Sequence, residues 1–129
     1  MKEDKASFRK SERLCGIRAI TELFTEGRTL YLPPLKIIYK LLPDEPGTES
    51  VRVLISVPKR NFKKAVSRNL IRRRIREAYR LNKAPLKEAI LAKGRRIDMA
   101  VIYNDEVIHP YNVTERSIKE MIEKLKLLK

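Results

Sequence analysis

At 129 residues the chain can build one hydrophobic core but hardly two, and its hydrophobic share of 43% argues against wholesale disorder. Thirty Lys and Arg stand against sixteen Asp and Glu, a net charge of +14 that adds repulsion to the compact state and points to a polyanionic partner, nucleic acid or an anionic membrane surface. One cysteine (Cys15), one histidine (His109) and no long apolar run exclude an intramolecular disulfide, a Cys-based zinc site and a membrane-spanning helix.

In chain order, residues 1–13 are polar and read as a flexible basic arm ahead of a single domain over 14–129. The first residues, MKEDKASFRKSERL, lack the apolar core of a signal peptide, so the expected compartment is the cytoplasm. Ile17, Ile20 and Phe24 recur at i, i+3 and i+7, which predicts a short helix closed by Gly27. A short strand is expected near Thr29–Tyr31, and Pro33-Pro34 then demands extended backbone. LKIIYKLL (35–42) and VRVLISV (51–57) are rich in β-branched residues and flank the turn-forming PDEPGTES, which predicts an antiparallel hairpin with a longish loop.

A helix follows Pro58, is broken at Pro85, and gives way to a shorter one through LKEAILA (86–92). RIDMAVIY (96–103) alternates as a strand. Thr114 is expected to cap a last helix, with Val113 and Ile118 as a hydrophobic staple. That helix buries Ile118, Met121, Ile122, Leu125 and Leu128 as core, not as a cofactor box. The order predicts an α+β sandwich, α-β-β-β-α-β-α, with helices packed on a small sheet.

The charge is concentrated. From Lys59 to Arg80 there are ten basic side chains and one acid, Glu77, a net of +9 in 22 residues that leaves +5 for the other 107. On a helical projection at about 100° per residue, Ile71, Ile75, Ala78 and Asn82 share the inward side. Arg72, Arg76, Asn69, Arg80 and Arg73 form a continuous outward stripe, with Arg68 at its edge. A merely solvated charged face would be balanced by acids one turn away, and only Glu77 is available. A membrane-surface helix would need apolar residues free to insert, which the core requires here. Arginine suits bidentate contacts to phosphate. Steps of four residues, about 6 Å along the axis, come near the phosphate repeat of a strand. Few base-reading side chains lie among the arginines, which favours the shape and backbone readout of structured RNA over a DNA groove.

SVPKR (56–60) and KAVSRNLIRRRIREAYR (64–80), with SFRKSERL, LFTEG (23–27) and LKIIYKLL in the same order, resemble the protein subunit of bacterial ribonuclease P. The resemblance spans most of the chain. It implies a mixed sheet of about four strands with a left-handed β-α-β crossover, like the second domain of ribosomal protein S5, against the usual right-handed preference. It also implies a protein without catalytic residues of its own, an accessory subunit of an endoribonuclease whose active site is RNA and which removes the 5′ leader of precursor tRNA. Magnesium is expected in that holoenzyme, with no cofactor or metal ligand assigned to this chain. The implied partners are the catalytic RNA and precursor tRNA, with no membrane and no obligate protein partner.

Carried over by position, Arg68, Asn69, Arg72, Arg73 and Arg76 contact the RNA subunit, helped by Lys59 and Arg60; Arg80 continues the stripe. Phe24 and Tyr39 match aromatic positions of a cleft between first helix and sheet, where each would stack on a leader base. Three departures stand out. Leu70 replaces an arginine of the usual Arg-Asn-Arg, Ile20 replaces a cleft aromatic, and RNFKK (60–64) carries an extra residue. The alternative is a ribosomal or ribosome-assembly protein using the same helix on ribosomal RNA. A stand-alone nuclease would need clustered carboxylates, and the acids here are scattered.

Overall fold

These periodicities resolve into four helices and four strands in a computed structural model that describes residues 8–128. A single 3-10 turn, Lys10–Glu12, precedes α1 (Ile17–Glu26), β1 (Arg28–Leu32), β2 (Leu35–Pro43), β3 (Val51–Ser56), α2 (Ala65–Asn82), α3 (Ala84–Ala92), β4 (Arg95–Tyr103) and α4 (Tyr111–Lys126). This is the expected element order with Pro85 in the first turn of α3, where its missing N–H is harmless.

The strands pair differently from the expected hairpin between 35–42 and 51–57. The sheet order is β1-β2-β4-β3, with β1/β2 and β2/β4 antiparallel and β3/β4 parallel. β4 lies between β2 and β3 because Ile97 through Val101 are buried without interruption, so this strand needs neighbours on both edges and cover on both faces. The hairpin is instead β1/β2, and Pro33-Pro34 forms its two-residue turn through a cis peptide bond in place of extended chain.

Alternation along the strands sorts the core into two layers. Ile37, Val53, Met99 and Val101 face α2, α3 and α4, where Ile71, Ile75, Ala78, Leu86, Ile90, Ile118 and Met121 meet them. Ile38, Leu54 and Ala100 point the other way, toward Leu14 and Leu23. α1 therefore covers the opposite side of the sheet from the other three helices, anchored by Leu23, while Ile17 (88% exposed) and Phe24 (46%) remain in solvent.

Two helix readings are revised. α4 starts three residues ahead of Thr114: Pro110 holds an extended backbone, its carbonyl accepts from Val113 N–H at 3.1 Å, and Thr114 is buried inside the first turn. Leu128 lies beyond the helix end and is half-buried, packed against the core margin. The 57–64 loop is pinned by Phe62, a core residue whose ring stands 5.8 Å from that of Tyr103.

Of the arm expected over residues 1–13, residues 1–7 lie outside the described residues, and 8–13 are packed down. Leu14 N–H donates to the Val53 carbonyl at 2.9 Å, and Phe8 meets Tyr79 edge-on at 5.6 Å. Glu12 is 1% exposed, with Lys83 Nζ at 2.7 and 2.9 Å from its two oxygens and Lys87 Nζ at 3.2 Å. Burial opposes ionisation of this carboxyl. Hydrogen bonds from Lys83 and the Arg9 N–H, together with the nearby Lys87 charge, outweigh it and hold Glu12 below its ordinary value.

Candidate nucleic-acid interface

α2 begins without an acid in its first turn and without a side-chain cap, so its positive end is left uncompensated. Lys59, Arg60, Lys63 and Lys64 stand exposed on the loop leading into it. Arg68 turns back onto that loop, donating from Nη1 to the carbonyls of Phe62 and Lys63, each at 2.8 Å. It thus ties the loop to the helix as well as carrying charge.

Further along, Ile71, Ile75, Ala78 and Tyr79 are buried, and Asn69, Arg73 and Arg76 are exposed. Arg72 is half-exposed and donates to Asn69 Oδ1 at 2.9 Å, which aligns its guanidinium along the helix surface. Among the described residues, Arg72, Arg73 and Arg76 form no ion pair with a carboxylate. Arg80 differs: it grips Glu77 with two hydrogen bonds of 2.9 and 2.8 Å, and this pairing depresses the Glu77 carboxyl. Arg74 donates to the His109 carbonyl at 2.8 Å and fastens α2 to the loop before α4. Leu70 lies on that same flank, lining a shallow pocket with Tyr111.

Asn69, Arg72, Arg73 and Arg76 are therefore carried on the outward side of α2, with Arg68 at its start, Lys59 and Arg60 exposed on the loop that leads into it, and Arg80 at its neutralised far end. Phe24 and Tyr39 are not brought together. Tyr39 is half-buried on the α4 side of the sheet beside Ile37 and Leu41, whereas Phe24 projects from α1 on the other side. Tyr39 instead borders a cavity of about 400 Å³ with Glu26, Arg28 and Leu128. The turn from α1 into the sheet is tight: a Cβ on Gly27 would lie 2.4 Å from the Leu23 carbonyl oxygen and 2.8 Å from Ile38 Cγ2.

Sequence reasoning passed over Tyr31. It is 62% exposed on the α1 side, paired across the strands with Lys36, whose Nζ lies 5.8 Å from the ring centroid. Its signal was available: Leu30 and Leu32 point into the core, so alternation turns Tyr31 toward the sheet face beside α1.

No group of three or more His, Cys, Asp or Glu side chains among the described residues could hold a metal ion, and no helix among them is long and apolar enough to cross a membrane. His109 lies in the loop before α4, its Nε2 2.7 Å from Asp105 Oδ2.

A family model described as Ribonuclease P matches residues 8–126. The chain belongs to the ribonuclease P protein family. The ribonuclease P protein component of Porphyromonas gingivalis is 32% identical over 113 residues, 88% of this chain and 82% of the relative. That of Chlorobaculum tepidum is 42% identical over 89 residues, 67% of this chain and 58% of the relative. Two solved structures share the fold. The ribonuclease P protein of Staphylococcus aureus has a TM-score of 0.68 at 19% identity, covering 93% of this chain and 100% of that one. The Thermotoga maritima protein has a TM-score of 0.68 at 21% identity, covering 88% and 96%. As a ribonuclease P protein component the chain serves tRNA processing, as a subunit of an endoribonuclease complex whose partner is the ribonuclease P RNA. Membership displaces the ribosomal alternative.

Proposed function

We propose that the chain docks on the ribonuclease P RNA through the Arg72/Arg73/Arg76 face of α2 and the basic loop before it, and steadies the 5′ leader of precursor tRNA on the α1 side of the sheet. Hydrolysis is then the work of the RNA, in the cytoplasm, with no further protein required. The observation that carries this reading is the uncompensated arginine face: guanidinium groups left without carboxylates on a rigid helix are arranged for phosphates. The leader surface rests on two exposed rings, Phe24 on α1 and Tyr31 on β1, with Lys36 beside the second. Tyr39 borders the opposite side and takes a secondary part.

Magnesium is the metal expected in the holoenzyme. The described carboxylates do not fit it as a protein-held ion, since Glu77 is gripped by Arg80 and Asp98 by Arg52, so no step is routed through metal on this chain.

Reconstitution tests the reading. Mixed with its cognate RNA at low magnesium, the protein should stimulate precursor tRNA cleavage, and absence of stimulation would refute it. Tyr31→Ala and Phe24→Ala should each erode the preference for leader-bearing over mature tRNA while RNA-subunit affinity holds. Tyr39→Ala should do so less.

A further inference from the structure

β3 is an edge strand, and the segment just before α1 lies along it, with Arg13 bridged to Val53 in parallel. Between this segment and α2 runs a groove of about 250 Å³. Arg72 and Arg76 line it from the helix, Arg13 and Cys15 from the segment, and Leu54 and Ile55 from the strand. Phe8 also lines it, and the Arg13 guanidinium carbon sits 5.5 Å over its ring centroid. No acid among the described residues lines the groove.

Three arginines from two distant stretches of chain thus border one small apolar trough. Like charges gathered without a counter-ion raise the energy of the free protein, and an anion in the trough relieves them. A bare phosphate would have no use for the aromatic ring and aliphatic floor. A nucleotide uses both, phosphate to the guanidinium groups and base to the apolar surface.

We propose that this groove takes one unpaired nucleotide of the ribonuclease P RNA, its phosphate among Arg13, Arg72 and Arg76 and its base against Phe8 and the Leu54–Ile55 floor. The inference rests on the reading that α2 faces that RNA, and it adds the segment before α1 to the interface. Glu12, buried against Lys83, is the positioning residue: it holds the segment down so that Arg13, its neighbour, points outward.

Cys15, the chain's only cysteine, is exposed and lines the groove, so its alkylation by iodoacetamide reports whether the groove is filled. With full-length RNA at about ten times its Kd, about a tenth of the protein stays open, and alkylation should slow about tenfold. Arg13→Gln, at an exposed position, should weaken RNA binding about tenfold, as one charge-assisted contact is lost. In its saturated complex, Cys15 should regain much of its reactivity. Full RNA binding with unchanged Cys15 reactivity would overturn the proposal. So would protection that arises only when precursor tRNA is added, since the occupant would then be substrate. Undiminished protection in saturated Arg13→Gln would mean the groove is covered without being filled, and would also overturn it. If the RNA does not bind at all, the reading of α2 falls first and this one with it.

Discussion

The Glu12–Lys83 pair and the Arg72/Arg73/Arg76 face are both made of charge, and they sit at opposite extremes. The pair is buried, doubly hydrogen-bonded and supported by Lys87 and the Arg9 N–H, and it fastens residues 8–14 to the junction of α2 and α3. The face is solvated, without carboxylate partners among the described residues, and contributes nothing to the core. Only a few residues apart, one charge cluster is complete within the fold and the other, on the proposed reading, is completed by RNA. The contrast teaches that charge count alone says little; whether each charge already has its counter-charge separates structural from binding groups.

The largest effect should come from breaking the complete cluster. Glu12→Ala leaves the Lys83 ammonium buried without its carboxylate and should lose about 3–5 kcal/mol, read by urea denaturation. If stability is unaltered, the pair is not structural and the comparison breaks. Next, Arg72→Ala with Arg76→Ala should leave stability within about 0.5 kcal/mol while weakening RNA binding and reducing the slope of log K against log salt by about 2. A shared loss of stability would show that the face belongs to the fold after all.

Acid should separate the clusters without mutation. The folded Glu12 carboxyl lies below its ordinary value of 4.5, so its contribution is complete above that pH and is lost as pH falls through the folded value. Thermal denaturation followed on lowering the pH from neutrality should show this loss beginning below pH 4.5, and Glu12→Gln should remove that part of the acid sensitivity. The arginines stay charged throughout. The smallest change is expected from Glu77→Ala. Removing the carboxylate partner of Arg80 adds one net positive charge to the helix and should raise RNA affinity slightly at low salt, an increment that fades as salt rises.

The legible parts of the molecule were those set by local spacing. α2 and α4 follow from apolar residues at helical intervals, and the inward and outward sides of α2 follow from the same projection. Strand partnership was not legible, because β4 arrives more than forty residues after β3 begins and then takes the place between β2 and β3 that a hairpin reading assigns to nothing. Glu12 was hidden for the same reason. Within KSER it looks solvated, and its partner Lys83 is 71 positions away. In the site, pattern alone brought the α2 residues together because one helix carries them. It could not tell that Arg80 is neutralised or that Arg68 braces a loop, which depends on rotamers and neighbours. Tyr39 and Phe24 were separated by the sheet itself, since a resemblance transfers positions but not the side of the sheet each ring occupies.

The short run of residues 13 and 14 along β3 also bears on self-association. An edge strand offers its unpaired backbone to any other strand, including that of a second copy. Here Leu14 takes the Val53 carbonyl, and Arg13 sets a charge at the rim, so β3 is closed to a newcomer at its middle. A chain trimmed to begin at Gly16 would bare Val53 and the adjoining apolar residues together. It should tend to assemble edge to edge, with light scattering rising with concentration where the full chain stays monodisperse.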